Sequence, residues 1–261
     1  RGAYDFRKID KDVAYFSSIK KKVFIQIVDI SWGNTKRGFP DYLVASEFGG
    51  GYFTRVKGTL IPKKYLPSVA TRLQMLTQTL GERYDTNPTV VGITIEETSL
   101  GVKDATNAND YTPALWESAL KGHIDAMKAY WPNTVKILYQ NWFDKCPDGD
   151  ACLTRVAEHA VRQGVGLGGP DVKIKHIDGY LNWPLAYGKV PLGTAVQWSN
   201  YEWTNPATGQ ITTAEEIMRH GVDELKLNMM FWQTREPYFS SDVLPMLQRT
   251  GAPINKEFYT P

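Results

Sequence analysis

The hydrophobic positions of the chain form six short runs that are mostly continuous rather than alternating. Continuous apolar runs are typical of parallel strands that are covered by helices on both faces. The predicted strands are Val23–Asp29, Val90–Glu97, Val135–Trp142, Val165–Asp171, Gly193–Trp198 and Leu227–Gln233. Because polar, acidic or aromatic residues stand at or just after the ends of these runs, we expect the chemistry at the carboxyl ends of the strands.

Segments with a helical pattern separate most of these strands. They are Phe6–Ile19, Lys64–Tyr84, Pro113–Tyr130, Ala151–Gln163, Thr213–Leu225 and Ser241–Arg249. Repeated strand–helix units with right-handed crossovers build a parallel sheet, so the pattern predicts an α/β protein of the TIM (β/α)8-barrel class. No linker interrupts residues 1–261, which we interpret as one domain, with the segment Ser31–Pro62 as an active-site loop.

Composition narrows the classes of partner. The chain has 30 basic and 28 acidic residues and a formal charge of +2, so it lacks the charge that a nucleic-acid partner would require. Its apolar runs are much shorter than the ~20 residues of a membrane-spanning helix. The sequence therefore predicts neither a nucleic-acid nor a membrane partner.

Two cysteines lie close together, Cys146 and Cys152, in a loop-like stretch rich in Pro, Gly and Asp. They are expected to form a disulfide, and two unrelated free thiols are the alternative. A disulfide favours secretion or the periplasm. The four histidines are scattered without the spacing of metal ligands, and nucleotide-binding glycine motifs are missing, so we expect no metal and no cofactor.

The amino end reads Arg-Gly-Ala-Tyr-Asp-Phe-Arg-Lys-Ile-Asp over residues 1–10, which resembles the stretch after the second strand in many clan A glycoside hydrolases. The resemblance implies that Phe6–Ile19 is the second barrel helix and that the six predicted strands are the third to the eighth. Two further strands are then expected from an N-terminal segment or a second chain, because six parallel strands alone would leave two open edges.

On this register, the adjacent carboxylates Glu96 and Glu97 follow the fourth barrel strand. The resemblance implies that Glu97 is the acid/base, whereas strand alternation turns Glu96 toward the barrel interior, and a bulge would reconcile the two. It also implies that Trp232 lies under the sugar. The sequence departs from the clan in two places, since Glu96 replaces an asparagine and the seventh strand ends Ala195-Val-Gln-Trp198 without a glutamate.

Glycoside hydrolysis needs a second carboxylate, either as nucleophile or as base for water. The candidates are, in order, Asp171, Glu202, Asp29 and Glu236, each of which stands near a strand end and has a structural role as its alternative. Flat rings and amides suit a sugar, which has apolar CH faces and a rim of hydroxyls. The predicted substrate-binding residues are Asp29, Trp32, Tyr139, Asn141, Trp142, Gln197, Trp198, Tyr201 and Trp232.

The sequence thus predicts a glycoside hydrolase that cleaves a polysaccharide or oligosaccharide by carboxylate catalysis. Two alternatives remain open: a non-catalytic barrel that binds carbohydrate, which the missing seventh-strand glutamate favours, and a polysaccharide lyase. The sequence leaves the sugar, the linkage and the stereochemical course undetermined.

Overall fold

The computed structural model describes residues 4–30, 38–55, 58–175, 180–251, 255 and 258. Within these residues the helices are α1 (Arg7–Ser18), α2 (Pro67–Tyr84), α3 (Pro113–Tyr130), α4 (Ala151–Arg162), α5 (Trp198–Tyr201), α6 (Ala214–Arg219) and α7 (Leu244–Thr250). The strands are β1 (Val23–Ile27), β2 (Tyr52–Thr54), β3 (Leu60–Pro62), β4 (Val90–Ile95), β5 (Val135–Tyr139), β6 (Gly166–Gly168), β7 (Gly193–Val196) and β8 (Met229–Trp232). Each of the six predicted strands is present, shortened by two to four residues.

The six predicted strands are parallel and neighbour one another in chain order. One sheet has the order β1-β4-β5-β6, and β7 pairs with β8. A parallel bridge between Leu167 and Leu192, and a hydrogen bond from the Ala195 amide to the Gly169 carbonyl at 3.0 Å, connect β6 to β7. The α/β fold of parallel strands that the sequence predicts is confirmed.

The two faces of this sheet pack differently. The outer face lies under the helices, where Ile93 of β4, Trp116 of α3 and Val156 of α4 belong to one buried core. A second cluster on the inner face includes Ile137 and Phe231. Glycine is required at position 168 on this face, because a Cβ atom there would collide with the backbone carbonyl oxygen of Gly193. The interior is therefore narrow where side chains from several strands meet.

The sheet is open between its first and last strands. Among the described residues, no backbone pairing joins β1 to β8. The rings of Phe24 and Phe231 nevertheless face each other across this opening, with centroids 4.9 Å apart. A cavity of about 1110 Å³ lies here, bounded by both strands. The free edges are those expected if further strands complete the barrel.

The segment predicted as an active-site loop contains local structure of its own. Two 3-10 turns, Asp41–Val44 and Ser46–Phe48, precede an antiparallel hairpin of β2 and β3, in which Phe53 pairs with Ile61. The prediction missed this hairpin, because strands of three residues are too short to show an alternating pattern. The helix predicted from Lys64 begins only at Pro67, which leaves Lys64 in the turn after the hairpin.

The predicted disulfide is confirmed, with Cys146 bonded to Cys152 at the start of α4. Asp144, close to this loop, accepts hydrogen bonds from the backbone amides of Leu100 and Gly101 at 2.9 and 2.8 Å. The loop after β5 is thereby attached to the loop after β4. Within the described part of the chain, no helix is both long enough and apolar enough to cross a bilayer.

Candidate active site

Glu96 directly follows β4 and lies at the wall of the cavity between β1 and β8. It shares the strand phase of Gly92 and Thr94, which is the inward phase, since a Cβ on Gly92 would meet the ring of Phe24. From β1, the side-chain amide of Gln26 donates a hydrogen bond to Oε1 of Glu96. Strand alternation therefore predicted the direction of Glu96.

The surroundings of Glu96 favour its protonated form. Burial, followed by the negative charges of Glu97 and Asp29, raises the pKa of Glu96 to about 8, although Lys64 acts in the opposite direction. A glutamic acid with this pKa carries a proton at neutral pH. A carboxyl group that holds a proton at working pH is what general acid catalysis requires.

Glu97 has a different environment from its neighbour. It is 5% exposed, and its Oε2 accepts a hydrogen bond of 2.6 Å from the side-chain amide of Asn141. The other end of that amide, Oδ1 of Asn141, accepts bonds from the Ser99 amide at 2.8 Å and the Thr98 hydroxyl at 3.1 Å. Glu97 is thus fixed by the residues after β4 and β5.

Asp29 follows β1 and belongs to the same cluster of charges. Its Oδ1 lies 2.9 Å from Nζ of Lys64, which also donates to the backbone carbonyl of Glu96 at 3.2 Å. The sequence did not identify Lys64 as a site residue. Lysine is seldom buried, and these partners lie 35 and 32 residues away along the chain, so no local pattern could have indicated it.

Tyr139 at the end of β5 is also part of the site. It is 1% exposed, and burial together with the charges of Glu96 and Glu97 raises the pKa of its phenol well above the ordinary value. The phenol is therefore neutral at physiological pH. Tyr139 therefore lies near the two carboxyl groups, and its role in substrate binding stays a prediction.

Aromatic and amide side chains from β7 and β8 form the opposite wall of the cavity. Gln197, Trp198, Trp232 and Gln233 line it together with Glu96. The Trp198 side chain is 48% exposed, and its backbone amide donates a bond of 2.7 Å to Oε1 of Gln233. An exposed ring next to two amides and a protonated carboxyl group can contact both the apolar face and the hydroxyls of a sugar.

The other predicted residues lie apart from this cluster in their described contacts. Asp171 accepts a bond of 2.6 Å from Nδ2 of Asn200 and pairs with Lys173 at 3.2 Å. Glu202 is exposed and accepts a bond of 2.6 Å from the Tyr238 hydroxyl. None of these bonds reaches Glu96 or Glu97.

Three aromatic positions complete the predicted set. Tyr201 is 5% exposed, and its hydroxyl donates to the Gln233 carbonyl at 2.9 Å, so it supports the cavity wall from behind. Trp142, after β5, is 46% exposed. Trp32 lies outside the described residues. Among the residues that are described, no group of His, Cys, Asp and Glu side chains is arranged to hold a metal ion.

Among the comparisons with known proteins, the similarity to solved structures concerns the fold. No family model matches the chain, and no curated protein matches it. The structure of the β-galactosidase from the psychrophilic Marinomonas ef1 has a TM-score of 0.54 and 9% identity, with 89% of this chain covered. The cold-adapted β-galactosidase from Rahnella sp. has a TM-score of 0.54 and 12% identity, with 94% of this chain covered.

This chain corresponds to 47% and 45% of the length of those two enzymes. At such low identity the similarity concerns the fold alone. The TIM-barrel class that the sequence predicts is therefore confirmed, and the chain shares its fold with (β/α)8-barrel glycoside hydrolases.

Proposed function

We propose that this chain forms the catalytic barrel of a glycoside hydrolase in which Glu96 is the general acid. The observation that carries the proposal is a carboxyl group with a pKa of about 8 at the wall of a large cavity, on a strand end of a glycosidase-like barrel. The family resemblance implied Glu97 as the acid/base, whereas this proposal gives that role to Glu96. Strand direction and the pKa of Glu96 favour this assignment.

In the proposed reaction, Glu96 donates its proton to the glycosidic oxygen as the bond from that oxygen to the anomeric carbon breaks. Glu97, held by Asn141, supplies the second carboxylate for the oxocarbenium-like centre. Water adds its hydroxyl to the anomeric carbon, and its remaining proton restores Glu96. The products are a reducing sugar and an alcohol.

We propose a polysaccharide or oligosaccharide as the substrate. The cavity of about 1110 Å³ is large enough for more than one sugar ring, and Trp198 and Trp232 provide flat apolar surfaces along its wall. Gln197 and Gln233 add amide groups that can exchange hydrogen bonds with hydroxyls. The disulfide between Cys146 and Cys152 supports secretion or the periplasm as the location.

A non-catalytic carbohydrate-binding barrel is the second candidate, and one observation favours it. The residue after β7 is Gln197, which lines the cavity at a strand end where the resemblance implied a carboxylate. An amide can bind a sugar hydroxyl but cannot act as a nucleophile or base. This candidate predicts binding without turnover.

The deciding experiment measures reducing ends released from a panel of glycans, together with the absorbance of unsaturated products that a lyase would form. We expect reducing ends without unsaturated products. Glu96→Gln should lower turnover by ~10²–10⁴-fold, the usual contribution of a general acid. If Glu97→Gln abolishes turnover while Glu96→Gln retains it, the roles are reversed, and binding without turnover by the unaltered protein would favour the non-catalytic barrel.

We also propose that two further strands complete the ring between β1 and β8, supplied by residues before Arg1 or by a second chain. The free strand edges support this, as do apolar side chains beside the opening, where Phe16 is 37% and Val28 is 53% exposed. A protein of residues 1–261 should bind a hydrophobic dye at this opening, and a protein that also has those strands should not. Equal dye binding by the two would contradict the proposal.

A further inference from the structure

A buried ammonium group, that of Lys64, lies next to the backbone of Glu96. Lys64 is 1% exposed, and its Nζ lies 2.9 Å from Oδ1 of Asp29 and 3.2 Å from the backbone carbonyl oxygen of Glu96. The same Nζ lies over the ring of Trp116, 5.7 Å from its centroid. Removing a lysine from water is costly unless its charge is paired and bonded, so this arrangement is specific.

The contacts of Lys64 join three parts of the barrel. Lys64 itself belongs to the turn between β3 and α2, Asp29 follows β1, and Glu96 follows β4. A bond to the Glu96 carbonyl fixes the backbone at the point where that residue leaves the strand. The turn after the hairpin of β2 and β3 thereby places a cation next to the ends of β1 and β4.

We propose that Lys64 is a positioning residue of the Glu96 site, which fixes the end of β4 and supplies the positive charge that balances the surrounding carboxylates. The inference rests on the proposed function of Glu96 as general acid. Lys64 does not touch the substrate; it acts through the backbone and the charge of Glu96.

The charged and titratable groups around Glu96 come from several elements. Asp29, Glu97 and Tyr139 face it from the ends of β1, β4 and β5, and Lys64 faces it from the turn before α2. On α3, His123 faces Lys64, and burial followed by the charge of Lys64 lowers the pKa of His123 to about 3, so that ring is neutral.

Another lysine, unlike Lys64, does line the cavity between β1 and β8. Lys22 stands before β1 and donates from Nζ to the carbonyl of Pro88 at 2.9 Å. Lys64, in contrast, is a cation whose charge lowers the pKa of Glu96.

Removing the charge of Lys64 and removing the charge of Asp29 should shift the pKa of Glu96 in opposite directions. Lys64→Gln keeps a donor toward Asp29 but removes the positive charge, so the pKa of Glu96 should rise. Asp29→Asn removes a negative charge and leaves Lys64 in place, so the pKa of Glu96 should fall. Loss of structure alone would not produce changes of opposite sign.

The test is a carbon-13 NMR titration of the glutamate carboxyl groups, in which Glu96→Gln identifies the signal of Glu96. We expect the midpoint of Glu96 to move up by about one pH unit in Lys64→Gln and down by a similar amount in Asp29→Asn. Lys63→Gln is the matched control, since Lys63 is the adjacent lysine but pairs with Asp110 at 2.8 Å. It should leave the midpoint unchanged.

A midpoint in Lys64→Gln equal to that in Lys63→Gln would overturn the proposal. If Lys64→Gln fails to fold, Lys64→Arg, which keeps the charge, and Asp29→Asn still test it: the first should preserve the midpoint and the second should lower it. The titration needs no substrate. If no glycan is turned over but the midpoints move as expected, the proposed hydrolase function is wrong and the proposed role of Lys64 still holds.

Discussion

Asn141 donates a hydrogen bond of 2.6 Å from its side-chain amide to Oε2 of Glu97, and so connects the residues that follow β4 and β5. In Asn141→Asp an oxygen replaces the donor and faces another carboxylate. One of the two groups must then hold a proton, and its pKa in the folded protein is raised. We expect the variant to lose turnover and to lose stability by ~1–3 kcal/mol at neutral pH.

The sign of the pH effect follows from that raised pKa. A group whose folded pKa exceeds its unfolded pKa stabilises the protein at low pH, and this stability is lost as the pH rises. The melting temperature of Asn141→Asp should therefore be close to that of the unaltered protein at about pH 4 and should be lower than it toward pH 8. A pH-independent difference would contradict this account.

The chain offers a matched control at the other end of the sheet. Asn133 donates in the same way to Oδ2 of Asp85, at 2.7 Å, but Asn133 is exposed to solvent. Asp85 is buried, but position 133 is exposed, so the new carboxylate in Asn133→Asp can turn toward water. Asn133→Asp should therefore lose less stability and should keep full turnover. Equal loss of turnover in both variants would show that position 141 has no special part in the site.

Glu96 itself should make the unaltered protein less stable as the pH rises. Its folded pKa of about 8 lies above the value of 4.5 for a free glutamate, so the folded state binds the proton more tightly than the unfolded state. The free energy of unfolding should fall by up to about 1.4 kcal/mol for each pH unit between these two values. Glu96→Gln should show a shallower dependence over that range, measured by urea unfolding, and an unchanged slope would contradict the raised pKa.

Much of this site could be predicted from strand ends. Continuous apolar runs identified the six parallel strands, and the residues after β1, β4 and β5 include Asp29, Glu96 and Asn141, which all belong to the candidate site. This succeeded because the carboxyl ends of parallel strands converge, so position along the chain determines position in space.

Contacts between distant segments could not be predicted in the same way. Lys64 reaches the site because the hairpin of β2 and β3 directs the following turn inward, and neither the hairpin nor the turn has a periodic pattern. The division of roles between Glu96 and Glu97 also depends on neighbours from other strands, namely Gln26 and Asn141. Family resemblance favoured Glu97 as the general acid, whereas side-chain alternation along the strand favoured Glu96.

Trp198 offers a test of the substrate-binding wall. Its side chain is 48% exposed, so Trp198→Ala should leave the melting temperature almost unchanged. Loss of ring stacking should weaken glycan binding by about tenfold, or ~1.4 kcal/mol, as measured by calorimetry. Tyr187, which is 36% exposed and is not part of the cavity lining, provides the control, and Tyr187→Ala should bind glycan normally.

The disulfide should contribute modestly to stability. Cys146 and Cys152 are six residues apart, so the disulfide closes a short loop. The stabilisation should therefore be smaller than the ~3 kcal/mol expected for a 15-residue loop. The double variant Cys146→Ala/Cys152→Ala should therefore remain folded with a lower melting temperature. A loss of more than ~3 kcal/mol in chemical unfolding would indicate that the bond also maintains the packing of the folded loop.

The contact between Phe24 and Phe231 has a consequence for the order of folding. It joins the first and last of the parallel strands, so it forms only after the intervening strands have been arranged. Contacts between residues so far apart in sequence tend to be absent from the folding transition state. Phe231→Ala should therefore accelerate unfolding in stopped-flow experiments and leave the folding rate nearly unchanged, so that the open side of the barrel determines how long the native state persists once formed.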